Sequence, residues 1–392
     1  MKRLAILSAI LLCATLAFAQ YKPHITEQTK AYTMVQIPDF SNGMGLFGDA
    51  HVLIQDQKSK LFCIFDTAGN MVVEPSIPLV TSMRGVPRFN SGVIPAVISD
   101  KGKSNYLILN TKGGIVANLG NLASLGTDFV DGYVTAFKSI PINQTRRRIE
   151  LHYYDRNGKD AFPKMVQDVT GTYGLLKDMR PFCDGLSCFY DYKTRRYGYF
   201  DHTGKVVIPA RYQEAQDFSE GIAAVSPDGQ QWIYIGTDGQ QINQVVLTLG
   251  EPEPFHEGLS IVSQRLPNDS RIFKSYIDAA GNVQCGPLVG AHRFFEGFAW
   301  VDTGNEFLSM NREFKGVRRL SRMDGKYNYD GGPFVQVGSD AYLPDGTPLF
   351  DSDGMVIGPF SEGIAKFKDR HGNVGYLTVQ GDILFYITLP SF

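Results

Sequence analysis

A four-residue phrase, Phe-x-x-Gly, returns along this chain and constrains its fold more than any other feature. It reads FSNG at 40–43, FNSG at 89–92, FVDG at 129–132, FCDG at 182–185, FSEG at 218–221, FHEG at 255–258, FFEG at 294–297 and FSEG at 360–363. The phenylalanines are 49, 40, 53, 36, 37, 39 and 66 residues apart, so a period near 37–40 recurs with insertions in the longer steps. Self-similarity at such a period is the signature of a repeat architecture. Small or branched apolar residues follow each phrase, as in FSEGIAAV (218–225) and FSEGIAKF (360–367).

A second phrase follows the first, clearest in YGYFDHTG at 197–204. Relatives are FCIFDTAG (62–69), YLILNTKG (106–113), LHYYDRNG (151–158), WIYIGTDG (232–239), KSYIDAAG (274–281) and VGYLTVQG (374–381), with FLSMNREF (307–314) a decayed copy. A unit therefore reads strand, turn, strand, Asp-x-x-Gly turn, strand: a three-stranded antiparallel meander. The repeat positions are Phe182, Gly185, Phe218, Gly221, Phe255, Gly258, Phe294, Gly297, Phe360 and Gly363, with Asp201, Gly204, Asp278 and Gly281 in the second turn. Glycine at 221, 258 and 363 fits a positive φ or a close backbone approach. The aspartates fit turns in which the carboxylate bonds its own backbone two residues on. Each buried phenylalanine contributes about 1.5–3 kcal/mol. No unit this small buries such a face alone, so neighbours must stack. Only residues 24–36 read as a short helix.

Over 197–225, YGYFDHTGKVVIPARYQEAQDFSEGIAAV resembles the WG (KWG) repeat of bacterial, often exported, proteins. The resemblance is strong over 182–301, returns at 360–381 and is weak across 40–160. The Trp-Gly pair itself is intact nowhere: Tyr197-Gly198, Trp232-Ile233 and Val374-Gly375 stand in its place. The resemblance implies a tandem β array with no common catalytic residues and a binding role. An all-β array over 20–392 is expected, with 302–359 degenerate and 334–359 a shortened ninth unit or an insertion. Eight or so units could close into a propeller-like ring or stack as an open β-solenoid; the ring is the preferred expectation.

The chain opens MKRLAILSAILLCATLAFAQ, with a basic pair, an apolar run and Ala17-Phe18-Ala19. This is the layout of a secretory signal peptide over 1–19. Bulky Leu12 argues against acylation at Cys13, and no transmembrane segment is expected in the mature chain. The expected location is periplasmic, extracellular or at the cell surface. Net charge is −2, with no long block of either sign, which argues against a nucleic-acid partner. Four cysteines remain beyond residue 19. In an exported protein Cys183 and Cys188 could form a local bridge, and small buried thiols are the equal alternative.

Local motifs for chemistry are weak. Gly102-Lys103-Ser104 lacks the first glycine of a phosphate loop, since Val97 stands there. Asp351-Ser352-Asp353-Gly354 lacks the EF-hand ligands, because Leu349 and Phe360 stand at the first and last positions. No two histidines lie three or four residues apart, so no zinc site is expected. The acidic residues before the repeat glycines (Asp131, Asp184, Glu220, Glu257, Glu296, Glu362) read first as acceptors of backbone N–H groups and second as a cation- or sugar-binding rim. Two basic clusters, Arg146-Arg147-Arg148 and Arg318-Arg319 with Arg322, read as solvated turns before a site for anionic polymer. The expectation is an exported, non-enzymatic protein, without cofactor or metal, that binds a protein or a cell-surface glycan through a β surface. The alternatives are a carbohydrate-active hydrolase with a central carboxylate site and a cell-envelope assembly factor.

Overall fold

A computed structural model describes residues 24–388, except 34–43, 57, 80–85, 101–102, 162–164, 171–179, 244–247, 322–326, 329–334, 338–339 and 352–353. Among the described residues there is no helix; nine small sheets follow one another along the chain. The first holds His51–Gln55, Phe62–Asp66 and Met71–Ile77. The second holds Val93–Asp100, Lys103–Asn110 and Ile115–Gly120. The third is built on Tyr133–Pro141 and Arg146–Asp155, the fourth on Leu186–Asp191, Arg196–Asp201 and Val206–Tyr212, and the fifth on Ile222–Ser226 and Ile233–Gly236. Ser260–Arg265, Ile272–Ile277 and Val283–Leu288 form the sixth; Phe298–Asp302, Glu306–Asn311 and Gly316–Ser321 carry the seventh. The eighth spans Tyr327–Asn328 to Pro348–Asp351, within the stretch read as degenerate. The ninth holds Val356–Ser361, Ile364–Lys368, Val374–Thr378 and Asp382–Thr388.

Of the stretch 24–36 read as a helix, the described residues 24–33 are not one, and 34–36 lie outside the described residues. His24–Thr33 is a strand that pairs parallel with Asp382–Thr388 and makes the ninth sheet five-stranded. Its partner is more than 350 residues away in sequence (His24 opposite Asp382), so tertiary pairing overrides the local reading. The first repeat anchor also moves. FSNG at 40–43 lies outside the described residues, and Phe47-Gly48-Asp49-Ala50 makes the first sheet's turn, with Ala50 at φ 58°.

Each repeat phrase among the described residues is a two-residue hairpin with both central residues in the left-handed region, as a type I′ turn requires. Glu220 and Gly221 have φ of 56° and 77°, and Ser219 and Ile222 exchange backbone hydrogen bonds across them. The preceding phenylalanine is buried at 47, 89, 129, 182, 218, 255 and 294; Phe360 is half-buried. In the second turn, Asp201 accepts the Thr203 and Lys205 amides at 2.8 and 3.2 Å while Gly204 sits at φ 79°. Asp278 accepts the Asn282 amide at 2.9 Å beside Gly281 at φ 88°.

Neighbouring sheets meet through a repeated set of contacts. The central tyrosine of one sheet packs against the phenylalanine of the next: Tyr153 on Phe182, Tyr199 on Phe218 and Tyr234 on Phe255 with ring centroids 4.8 Å apart, and Tyr276 on Phe294 at 5.2 Å. The tyrosine hydroxyl donates to the carbonyl two residues before that phenylalanine: Tyr153 to Arg180 (3.1 Å), Tyr199 to Gln216 (2.6 Å) and Tyr276 to His292 (2.5 Å). Tyr234 makes the equivalent link through the Ser260 hydroxyl, which donates to the Glu253 carbonyl. The same set joins the ninth sheet to the first. Tyr376 packs edge-on against Phe47 at 5.2 Å, and its hydroxyl donates to the Gly45 carbonyl at 2.8 Å. Met44, Phe47, Val52, Ile54, Cys63 and Phe65 form one core with Ile364, Val374, Tyr376, Phe385 and Ile387.

The third strand of a sheet often runs straight into the next. Val206–Tyr212 pairs with the fourth sheet, and Glu214–Ala215, two residues on, pairs with Ser226 and Val225 of the fifth. Where that strand passes the central one, the backbone leaves no room for a side chain. A Cβ on Gly198 would lie 2.6 Å from the Ile208 carbonyl oxygen and 2.7 Å from the Ala210 nitrogen. In the sixth sheet the glycine stands on the opposite strand, where a Cβ on Gly286 would meet the Ser275 hydroxyl at 2.3 Å. The fifth sheet has no equivalent third strand among the described residues, and there Ile233 replaces the glycine. The second glycine of the Trp-Gly-like pair is thus fixed by backbone packing within its sheet.

Candidate functional site

The acidic residues of the repeat phrase reach across to the next unit. The Glu220 carboxylate accepts the Glu257 and Gly258 amides at 2.6 and 2.7 Å, and Glu257 accepts Gly297 N–H at 2.9 Å. Asp184 accepts Gly221 N–H at 2.7 Å, and Asp49 accepts Gly92 N–H at 2.6 Å. Glu362 of the ninth sheet clamps the Asp49 and Ala50 amides of the first, both at 2.8 Å. Type I′ turns leave such amides pointing outward, and a carboxylate is their strongest acceptor. Asp131 instead pairs with His202 Nε2 at 3.1 Å. For Glu296, the matching part of the eighth sheet lies outside the described residues. The repeat phenylalanines and glycines named from the sequence therefore lie at the junctions between sheets.

The other sequence motifs hold ordinary places. Lys103 and Ser104 open a strand, while Gly102, Ser352 and Asp353 lie outside the described residues. Arg147 donates to the Ser139 hydroxyl, Arg148 pairs with Glu150 at 3.2 Å, and Arg319 pairs with Glu306 at 3.2 Å. Arg318 lies over the Tyr342 ring at 5.7 Å, and Arg322 is outside the described residues. No disulfide joins Cys63, Cys183, Cys188 or Cys285, so no bridge links Cys183 to Cys188. Burial pushes the Cys63 thiol up to about 12 and the Cys183 thiol up to about 11, which leaves both protonated and unreactive at neutral pH. No group of three or more His, Cys, Asp or Glu side chains suited to a metal occurs among the described residues.

One open cleft of about 500 Å³ gathers several polar side chains. It lies where the fourth, fifth and sixth sheets adjoin and is lined by Arg180, Gln216, Asp217, Ser219, Glu251 and Glu253, with Phe218, Pro252 and Pro254. Arg180 Nη1 lies 3.2 Å from Asp217 Oδ1, and Gln216 Nε2 donates to Glu251 at 2.9 Å. Lys274 reaches Glu253 at 3.4 Å. Burial raises the Asp217 carboxyl above the usual aspartate range; Arg180 opposes the shift and Glu251 adds to it. The Asp217 carboxylate keeps Arg180 charged, against the cost of burial. The cleft therefore offers an Arg180–Asp217 ion pair with the Glu251 carboxylate in the same lining, beside phenylalanine and proline. Periodicity hid it, because its charged side chains come from three successive units and meet only where those units dock.

A family model described as WG containing repeat matches residues 197–230, which run from the central strand of the fourth sheet into the fifth. No curated protein matches. Among solved structures, a crystal structure of the eukaryotic initiation factor has a TM-score of 0.55 at 10% identity, covering 86% of this chain and 96% of that one. BamB from Moraxella catarrhalis has a TM-score of 0.37 at 14% identity, covering 80% of this chain and 92% of that one. Dipeptidyl peptidase 4 from Porphyromonas gingivalis has a TM-score of 0.38 at 8% identity, covering 89% and 60%. At these identities the likeness concerns the fold alone.

Proposed function

We propose that this chain is an exported binding protein whose nine sheets close into a propeller-like ring, and that it holds a cell-surface glycan in the cleft around Arg180 and Asp217. Support for the ring comes from the seam, where Tyr376 and Glu362 repeat on the first sheet the contacts that Tyr199 and Glu220 make between internal sheets. The propeller-like initiation factor structure, matched over most of both chains, agrees with that reading. Support for export comes from the leader-like residues 1–19.

The single observation that carries the binding reading is the division of labour among polar groups. Acidic residues of the repeat turns are engaged in holding units together, whereas the side chains of Arg180, Asp217, Glu251 and Gln216 converge on one open cleft. Planar carboxylate, amide and guanidinium groups over an apolar floor suit sugar hydroxyls, and a concave site with a few convergent polar groups is the usual form of a ligand pocket. The test is titration of the purified chain with envelope oligosaccharides, followed by calorimetry and by NMR of methyl-labelled protein. Glu251→Gln should weaken binding at least tenfold while leaving the thermal midpoint within a degree or two. Binding that is unchanged in Glu251→Gln and in Asp217→Asn would remove the cleft from consideration.

The raised carboxyl of Asp217 beside Glu251 gives a hydrolase one specific point in its favour, since glycosidases separate the protonation of two carboxyl groups in this manner. That reading requires release of reducing ends from the bound glycan, lost in Asp217→Asn.

A further inference from the structure

The cleft around Arg180 and Asp217 holds more negative charge than positive, and the pairing of its groups leaves the excess on one residue. Asp217, Glu251 and Glu253 bring three carboxylates to the lining, and Arg180 brings one cation. Lys274 reaches Glu253 at 3.4 Å as a second cation. Arg180 is occupied within the protein: Nη1 lies 3.2 Å from Asp217 Oδ1, and Nη2 donates to the Ala215 carbonyl at 3.4 Å. Asp217 and Glu253 thus each face a cation, whereas Glu251 pairs with none among the described residues.

What holds Glu251 is neutral. Gln216 is only 7% exposed, and its Nε2 donates to Glu251 Oε1 at 2.9 Å and to the Pro252 carbonyl. A buried amide therefore fixes an exposed carboxylate without cancelling its charge. The second oxygen, Glu251 Oε2, takes no hydrogen bond among the described residues. Burial raises the Asp217 carboxyl and the Glu251 charge raises it further, so that charge is felt across the cleft. A carboxylate already held in place gives up little freedom when a cation meets it. An anion finds no such partner here, because it would have to draw Arg180 away from Asp217.

On the footing that the cleft holds a glycan, we propose that the glycan carries an unsubstituted amino group and that the ammonium of this amino sugar sits on Glu251. A hydrogen bond between two charged groups is roughly twice as strong as one between neutral groups. The cleft therefore separates a free amine from a hydroxyl or an N-acetyl group at the same ring position. N-acetylation removes the charge that Glu251 answers, and a uronic acid brings the wrong sign. Phe218, Pro252 and Pro254 in the same lining suit the C–H faces of the sugar ring.

Calorimetric titration of the full purified chain tests this with a glucosamine oligomer, its N-acetylated form, the matching glucose oligomer and a uronic acid oligomer. The glucosamine oligomer should bind about tenfold more tightly than the two neutral ones, and the uronic acid oligomer most weakly. Added salt should shrink that preference. Glu251→Gln should bring the glucosamine oligomer down to the affinity of the neutral ones, leave theirs nearly unchanged and keep the wild-type thermal midpoint. Equal affinity for the amine and N-acetyl forms, with both lost in Asp217→Asn, overturns the amine and leaves the cleft a glycan site. Absence of binding by every oligomer, or binding indifferent to both variants, overturns the glycan site and the amine together. A lysine-bearing peptide that displaces the glucosamine oligomer and depends more strongly on Glu251 overturns the sugar as carrier of the amine.

Discussion

The junction between the fourth and fifth sheets and the seam between the ninth and first share their side-chain contacts but not their covalent continuity. At the internal junction the chain passes from Val206–Tyr212 into Glu214–Ala215 without leaving the extended form. At the seam no such passage exists, since the two sheets stand at opposite ends of the sequence. Nevertheless Tyr376 meets Phe47 as Tyr199 meets Phe218. Gly69 also faces Phe385, where a Cβ would lie 2.9 Å away, much as Gly239 faces Ile208 at 3.1 Å. Register between sheets is therefore set by faces and turns, not by the connecting chain. The seam has one device of its own: within His24–Thr33, Thr29 donates to the Ile383 carbonyl while the Lys30 ammonium reaches Ala68 and Asn70 of the first sheet.

The sharpest way to break this comparison is to disturb the two sheets equally. A Cβ on Gly375 would approach the Phe385 carbonyl oxygen to 2.3 Å, and one on Gly198 the Ile208 carbonyl oxygen to 2.6 Å. Both obstacles are backbone, so Gly375→Ala and Gly198→Ala must shift a strand, at a cost of about 2–4 kcal/mol each. Urea unfolding should report equal losses. If Gly375→Ala costs less than half as much as Gly198→Ala, the ninth sheet frays on its own and the seam is not equivalent to an internal junction.

Acid separates the junctions next. The residue two before the repeat phenylalanine is Gln216 in the fifth sheet, Gly45 in the first and His292 in the seventh, and each accepts a tyrosine hydroxyl at its carbonyl. Burial, helped by the charge of Lys274, lowers the His292 imidazole to about 4. Its folded value is depressed below the unfolded one near 6.5, so the unfolded chain binds the proton first. The stability that neutral His292 preserves is complete above pH 6.5 and is lost as pH falls towards 4, by about 2–3 kcal/mol. His292→Gln should flatten that part of the stability–pH curve relative to wild type. A difference curve with no slope between pH 6.5 and 4 would show that this ring is not shielded.

Smaller again is the hydroxyl link. Tyr199→Phe and Tyr376→Phe each leave a buried carbonyl without its donor, for about 1–2 kcal/mol. Closure requires the two values to agree; an open array would make the seam variant nearly neutral in thermal melts.

The period was legible because its markers are residues with few alternatives: glycine at positive φ, aspartate in its own turn, and phenylalanine that must be covered. What escaped was whatever depends on a partner distant in sequence or on the backbone. Ala50 occupies a left-handed position without glycine, so FSNG drew the first anchor away from Phe47. The strand at His24–Thr33 is specified by an edge at the far end of the chain, which local periodicity does not encode. The eighth sheet meets the ninth through Ala341 and Leu349 instead of a tyrosine, so its unit lost the visible phrase. The cleft was illegible because Arg180, Asp217 and Glu251 belong to three successive units and meet only where those units dock.

The gentlest comparison concerns the carboxylate clamps. Glu220 holds two amides of the sixth sheet and Glu362 holds two of the first, at distances between 2.6 and 2.8 Å. In Glu220→Gln and Glu362→Gln one oxygen still accepts, but the amide NH₂ then faces a donor. Each change should cost about 0.5–1 kcal/mol, since these turns are exposed and water competes for the same amides. Global melts would barely register it, so hydrogen exchange is the measurement. Protection of the Glu257 and Gly258 amides should fall several-fold in Glu220→Gln, and that of Asp49 and Ala50 by a similar factor in Glu362→Gln. High salt should shrink both effects together, because the lost attraction is that of a charge for its donors. If the Asp49 and Ala50 amides already exchange freely in the wild-type chain, the seam is open in solution, and the contacts between first and last sheets do not hold the array shut.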